Sequence, residues 1–329
     1  MVRDLSVGYM VGATNIAALD QVEFDIDRGE SLGIVGESGS GKSTLGLTLM
    51  SLLPRNASIR AGAVILKGLN LRNLQPEDLR EIQGKEVAMI FQDPLTSLNP
   101  TLRIGTQMMD VLRAHGHGMH QTRRERIIRA LEEVGIPDAA NRIKRFPHEF
   151  SGGMRQRVMI AMALMLEPAL IIADEPTSAL DTTLQVQILA LMKRLQTKHG
   201  TAILFISHDL AVVAGVCHRV LVMYAGRVVE EGDVSSVLER PLHPYTKALL
   251  ASRPSVTRRN ERLATIPGRV QLGLGCAFAN RCLHAQSVCR RQAPRYVKVE
   301  RNRVRCHIYD ESSAYHVEGG SPLSDGFDV

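Results

Sequence analysis

Short apolar runs separated by polar turns set the rhythm of this chain. Val22-Glu23-Phe24-Asp25-Ile26 alternates apolar and acidic residues, the period of a half-buried strand. Asp27 to Glu30 reads as a turn. Ser31 to Val35, Val87 to Phe91, Ala169 to Ala173, Ala202 to Ile206 and Val220 to Met223 are short and almost wholly apolar. Runs of this kind are strands buried on both faces. Between them the period changes. Lys42 to about Leu53 predicts a helix that stops before Pro54. Arg123 to Val134 predicts an amphipathic helix with Ile127, Ile128, Leu131 and Val134 on one face, and Thr183 to His199 predicts another. Strands alternating with helices imply an α/β core around a largely parallel sheet.

From Pro94 to about Pro168 the pattern is mostly helical, so a helical insertion (about 94–168) interrupts a core spanning 1–250. After Leu250 the periodicity fades. Arg253-Pro254-Ser255 and Ile266-Pro267-Gly268 punctuate a small appendage at 251–309, and the polar, Ser/Gly-rich residues 310–329 read as a disordered tail. The longest apolar stretch, Val158 to Ala173, is broken by Glu167-Pro168 and falls short of the roughly 20 residues that span a bilayer. No basic-then-apolar leader pattern opens the chain. Work at a membrane would require recruitment by a partner.

Charge changes the picture only near the C-terminus. The 329-residue chain carries +6 overall, but Arg240 to His307 holds fifteen Lys/Arg against two Asp/Glu. That local +13 leaves −7 for the remainder. A basic stretch can meet nucleic acid or anionic lipid, although 4% aromatic residues and no Trp give little platform for base stacking. The same stretch contains four of the five cysteines, Cys276, Cys282, Cys289 and Cys306, spaced C-x5-C-x6-C-x16-C. Zinc sites favour tighter pairs, and a cytosolic chain is a poor host for disulfides. Four thiolates on irregular loops can hold a [4Fe-4S] cluster. Zinc and four unligated thiols stand as the alternatives. Cys217 lies apart and reads as a buried small residue. His243, in Pro241-Leu242-His243-Pro244, reads as a turn entering a helix rather than a metal ligand.

Two stretches carry chemistry directly. Gly36-Glu37-Ser38-Gly39-Ser40-Gly41-Lys42-Ser43 follows a strand and opens a helix, the context of a phosphate loop. Gly36, Ser38, Gly39, Ser40, Gly41 and Thr44 belong to the expected cradle. Lys42 would reach the β- and γ-phosphates and Ser43 would ligate Mg2+. Alone, this loop fits kinases, GTPases and many ATPases. Asp174-Glu175 ends an apolar strand, where a carboxylate sits beside the phosphates. Asp174 would hold the magnesium shell and Glu175 would polarise the attacking water.

With Gln92, Ser151-Gly152-Gly153-Met154-Arg155-Gln156, Ser178-Ala179-Leu180-Asp181 and His208 added in this order along the chain, it resembles the ATP-binding subunits of ABC transporters. The resemblance implies an ABC ATPase core and a dimer in which Ser151, Gly152 and Gly153 face ATP held by the opposite subunit. It implies that Gln92 senses magnesium and that His208 contacts the γ-phosphate. Phe150 departs from the family's usual leucine, and no adenine-stacking aromatic is obvious; Tyr9, with apolar contacts near Ile16, is the nearest candidate. Phe91 to Pro100 and Pro241 to Leu250 are similar to the peptide, opine and nickel uptake group, and Ser151 to Met159 with Ile206 to Leu210 to its D-type subunits. That implies a homologous F-type ATP-binding partner, two permease subunits, a periplasmic or lipid-anchored substrate-binding protein and no nucleic acid. It also implies a peripheral position on the cytoplasmic face of the inner membrane, and the iron–sulfur cluster of some D-type subunits. A soluble ABC ATPase acting on nucleic acid or ribosomes is the rival reading.

Overall fold

The computed structural model describes residues 1–116, 119–252, 266–268, 270 and 274–315. Its strands are β1 Val2–Val11, β2 Thr14–Phe24, β3 Ser31–Val35, β4 Ala57–Leu66, β5 Leu69–Asn70, β6 Val87–Ile90, β7 Leu170–Asp174, β8 Ala202–Ser207, β9 Arg219–Tyr224, β10 Arg227–Asp233, β11 Val297–Val299 and β12 Asn302–Val304. Its helices are α1 Lys42–Leu49, α2 Pro76–Ile82, α3 Pro94–Ser97, α4 Ile104–Ala114, α5 His120–Glu133, α6 Ala139–Arg142, α7 Gly152–Leu164, α8 Thr182–His199, α9 Leu210–Val216, α10 Val234–Glu239, α11 Pro244–Ala251 and α12 Ser287–Arg291.

The larger sheet runs β11-β12-β10-β9-β3-β8-β7-β6. From β9 to β6 every pairing is parallel. All residues of β3, β7 and β8 are buried, which is why they read as unbroken apolar runs. Register aligns their C-terminal ends: Val35 pairs with Ser207, and Asp174 with Ile206. The loops after β3, β6, β7 and β8 therefore leave the sheet along one edge, where ligands bind in open parallel sheets.

The smaller sheet, β2-β1-β4-β5, is antiparallel. The expected strand at 22–26 is the end of β2, and most of this sheet lies outside the strands expected from the sequence. Leu5, Val7, Leu19, Val22 and Phe24 share one core with Leu32, Ile34, Leu204 and Ile206 of the larger sheet. Leu45 and Leu49 of α1 join that core. The helix ends at Leu49, not near Leu53. Ser51 turns left-handed (φ 54°) and Leu52 N–H donates to the Leu47 carbonyl, a closure that stops the helix before Pro54 acts.

Between β6 and β7 the chain runs through α3 to α7. Met108, Leu112, Ile127, Leu131, Val158 and Ile160 pack into one core that continues to Ile171 and Phe205 of the sheet. Phe150 is buried there, with the Arg142 guanidinium over its ring at 5.8 Å. Residues 253–265, which hold part of the expected boundary, lie outside the described residues, as do 316–329 of the expected tail.

The C-terminal segment adds more regular structure than its faded periodicity predicts. β12 pairs antiparallel with β10, and β11 with β12, so the segment extends the core sheet. Several of its basic side chains are engaged within the protein. Arg303 and Arg219 both bind the buried Glu231, Arg305 donates to the Gln21 carbonyl, and Arg303 and Arg305 lie over Tyr296.

Candidate active site

The phosphate loop is shaped by what surrounds its glycines. A Cβ on Gly36 would sit 2.2 Å from the Met223 carbonyl oxygen, so only glycine lets the strand end pass there. Gly41 adopts φ 101°, a left-handed conformation that glycine takes without strain, and caps α1. Lys42 Nζ donates to the carbonyls of Gly36 (2.8 Å) and Glu37 (3.0 Å) and approaches Ser40 Oγ at 3.5 Å. Burial holds the Lys42 ammonium below its ordinary pKa, while Glu175, Asp174 and Glu37 oppose that shift. Tyr9 Oη and Thr44 Oγ1 are 3.4 Å apart, and Tyr9 pairs with Ile16 across β1 and β2. The two residues expected near adenine are therefore neighbours beside the loop.

The acids meet this loop from β7. Burial raises the Asp174 carboxyl above its usual range; the Ser43 hydroxyl, hydrogen-bonded to it, pulls it back. Asp174 Oδ1 is buried with no hydrogen-bond partner. An orphaned carboxylate oxygen beside a hydroxyl fits a magnesium shell, because such an atom costs free energy until a donor or cation meets it. Glu175 follows in a left-handed conformation (φ 46°), fixed by its N–H to the Ile206 carbonyl at 2.9 Å. Strain of this kind at a non-glycine residue costs about 1–3 kcal/mol and persists where the fold imposes it.

That backbone aims the Glu175 side chain at two others. Gln92 Nε2 donates to Oε2 at 3.0 Å, and His208 Nδ1 lies 3.0 Å from Oε1. Gln92 comes from the loop after β6 and His208 from the loop after β8. Residues 83 and 33 positions from Glu175 in sequence thus converge on one carboxylate.

Ser151 and Gly153 stand elsewhere. Ser151 caps α7, its Oγ accepting from Met154 N–H at 3.3 Å. The nearest neighbours of a Cβ on Gly152 or Gly153 are Leu180 and Leu184, not the phosphate loop. Asp181 in turn caps α8 by accepting from Leu184 N–H at 2.9 Å. Ser151 and Gly152 remain exposed, so the helix N-terminus is open to an anion from outside the chain.

The structure explains the Pro241-to-Tyr245 stretch. The buried Glu230 carboxylate accepts the N–H groups of Leu242 and His243, and His243 Nδ1 accepts from Tyr245 N–H at 3.0 Å. His243 is the cap of α11, as the turn reading has it. Full burial lowers its pKa to about 3, so the ring is neutral. Tyr245 then reaches the phosphate loop, its hydroxyl accepting from Glu37 N–H at 2.8 Å. Glu37 and Tyr245 lie in separate sequence motifs, and only the three-dimensional contact pairs them.

Cys276, Cys282, Cys289 and Cys306 come together. Cys276 N–H donates to the Cys289 carbonyl at 2.7 Å, and Cys306 feels the charges of all three others. Burial pushes the Cys276 thiol up to about 11 and Cys306 up to about 12, and raises Cys282. Backbone N–H groups oppose this: those of Phe278 and Ala279 at Cys276, of His284 at Cys282 and of Ile308 at Cys306. Among the described residues no three His, Cys, Asp or Glu side chains are arranged to hold a single metal ion. Cys217 is separate; its Sγ packs near Gly33 under α9, and burial raises its pKa strongly.

Comparison with known proteins agrees with this geometry. The ABC transporter family profile matches residues 19–178, and that of the oligopeptide/dipeptide transporter C-terminal region matches 229–289. The oligopeptide transport ATP-binding protein OppD of Escherichia coli (strain K12) is 46% identical over 297 residues, 89% of this chain and 88% of that protein. The dipeptide transport ATP-binding protein DppD of the same organism is 45% identical over 297 residues, 89% of this chain and 91% of that protein. Among solved structures, a dimeric ATP-binding cassette in a post-hydrolysis state, bound to ADP and Pi, superposes with a TM-score of 0.63 at 28% identity. It covers 71% of this chain and 97% of its own. With a phosphate loop, a carboxylate pair and a signature helix held on this sheet, the chain is an ATP-hydrolysing protein, and it belongs to the ABC transporter family, among the ATP-binding subunits of the oligopeptide and dipeptide type.

Proposed function

We propose that this ATPase powers the import of peptides or related small solutes, as the D-type partner of a homologous F-type ATP-binding subunit. The two sit on a pair of permeases at the cytoplasmic face of the inner membrane and serve a substrate-binding protein outside it. Two features support a peripheral position. Among the described residues no helix is long and apolar enough to cross a membrane, and the relatives named above are transport ATP-binding proteins. The matches to transport ATP-binding proteins weigh against the nucleic-acid reading.

The observation that carries the mechanism is the Glu175 carboxylate, held between Gln92 and His208. Gly36 to Thr44 cradle the triphosphate, with Lys42 turning from the Gly36 and Glu37 carbonyls to the phosphates. Ser43, Gln92 and Asp174 would hold Mg2+, which would supply counter-charge to the phosphates when bound. Glu175 accepts a proton from the attacking water, and His208 orients Glu175 and the γ-phosphate. Ser151, Gly152 and Gly153 meet ATP held by the partner subunit, which accounts for their separation from this chain's own loop. ATP binding closes the pair and drives the permeases; hydrolysis reopens it.

The four cysteines are assigned to one [4Fe-4S] cluster. A tetrahedral zinc site needs sulfurs about 3.8 Å apart, from Zn–S bonds of about 2.3 Å. Four mutually coupled cysteines, with backbone N–H groups aimed at three of them, suit thiolate ligands of a cluster.

Glu175→Gln tests the catalytic assignment. In the assembled transporter it retains ATP binding, lowers turnover by about 10²–10⁴, and accumulates a closed, ATP-loaded state. Near-normal turnover would remove Glu175 from the role of base.

A further inference from the structure

Every polar group of Glu37, inside the phosphate loop, is engaged. Its N–H meets Tyr245 Oη, its carbonyl accepts from Lys42 Nζ, and its carboxylate is gripped by Arg281. Arg281 comes from the C-terminal segment, 244 residues further along the chain. Its guanidinium binds Glu37 as a fork, Nη1 to Oε2 at 2.7 Å and Nη2 to Oε1 at 3.0 Å. The rest of its donors are satisfied as well: Nε by the Pro267 carbonyl, Nη1 by Tyr224 Oη and Nη2 by the Ile266 carbonyl. The Arg281 side chain is only 6% exposed. A buried, forked arginine with its donors all used holds its partner in one place.

Glu37 stands where charge matters. Its carboxylate acts electrostatically on the Lys42 ammonium, the group that receives the β- and γ-phosphates. An unneutralised carboxylate there would repel a triphosphate and compete for Lys42. The aromatic packing behind the pair is rigid: Phe278 meets Tyr224 edge-on at 5.2 Å and Tyr245 at 5.5 Å.

We propose that Arg281 is a positioning residue for ATP binding: it neutralises Glu37 and fixes the first limb of the phosphate loop, so that Lys42 is left for the nucleotide. This rests on ATP binding at the phosphate loop. Wild-type affinity, measured in the same series, separates a failure of that premise from a failure of the Arg281 role.

The test is calorimetric titration of the full-length chain with ATP, ADP and AMP. Arg281→Gln weakens ATP binding about tenfold, ADP less, and AMP within about twofold, because the repulsion scales with phosphate charge. Glu37→Gln added to Arg281→Gln restores ATP affinity to within about threefold of wild type, since it removes the unpaired charge. A scaffold role alone would leave the double variant as weak as the single one, and that outcome overturns the proposal. So does an Arg281→Gln variant that binds ATP within twofold of wild type. Arg281→Lys approaches the same point with less risk to folding. It keeps the charge without the fork and retains ATP affinity within about threefold; a tenfold loss there also overturns the charge role.

Discussion

At the nucleotide site the buried ionisable groups have opposite charges, whereas the clustered cysteines of the C-terminal segment are all of one kind. Lys42 faces Glu175 and Asp174, and each moderates the cost of burying the other. Cys276, Cys282 and Cys306 face one another, and every thiolate formed raises the pKa of its neighbours. The first site can exist charged before its ligand arrives. The second favours neutral thiols until a cation compensates several negative charges at once. Loss of a ligand should therefore leave the nucleotide site standing and loosen the cysteine segment.

The strongest challenge to the first half of this contrast is Gly153→Glu. The position is buried at the start of the signature helix, with Leu184 3.2 Å from an added Cβ. In the assembled transporter the substitution should reduce ATP turnover by at least about a hundredfold, as expected when transition-state charge loses its donors. ATP affinity of the separate chain, by titration, should stay within about twofold. A parallel loss of affinity there would tie Gly153 to the chain's own loop.

Cys276→Ser addresses the second half. Protein purified without oxygen should fall from about four iron and four sulfide per chain to below one. Amide exchange in 274–307 should accelerate, while ATP affinity changes less than about tenfold. Colourless wild-type protein with one zinc per chain would reassign the site to zinc, and wild-type protein with no metal would make the thiols simple core residues.

His243 supplies the smallest effect, as a fully buried group whose charged form is penalised by desolvation. Its folded pKa of about 3 lies below the roughly 6.5 of an unfolded histidine. Between those values the unfolded state binds the extra proton, so stability rises with pH and is lost as pH falls from 6.5 towards 3. From pH 7 to pH 5 the loss from this group is about 2 kcal/mol. His243→Asn preserves an acceptor for Tyr245 N–H and should flatten that part of the profile in denaturant titrations; an unchanged slope would assign the acid sensitivity elsewhere.

Motifs whose residues are contiguous were legible in the chain. The phosphate loop and Asp174-Glu175 announce themselves because local geometry demands those residue types, while the capping roles of Ser151 and Asp181 emerge only from the structure. The antiparallel sheet was not legible, for a physical reason. Register shifts after Val2, Leu5 and Val7 break the alternation of β1, and β4 is largely half-exposed, so neither strand shows a clean period of two. The helix end at Leu49 was hidden by a serine in the left-handed conformation, a place where glycine gives the usual signal. The Glu37–Arg281 pair had no local signature at all, since neither residue changes its own surroundings in a way that periodicity records.

That pairing also fixes an order of events during synthesis. The phosphate loop leaves the ribosome early, but its arginine is made 244 residues later. At about 5–20 residues per second the interval is roughly 12–50 s. Throughout it Glu37 lacks its arginine and bears on the lysine that takes the phosphates. A chain still being translated, or one cut short before Arg281, therefore presents a handicapped nucleotide site. Full competence arrives only with the last sixth of the sequence, so an incomplete subunit is poorly equipped to drain ATP.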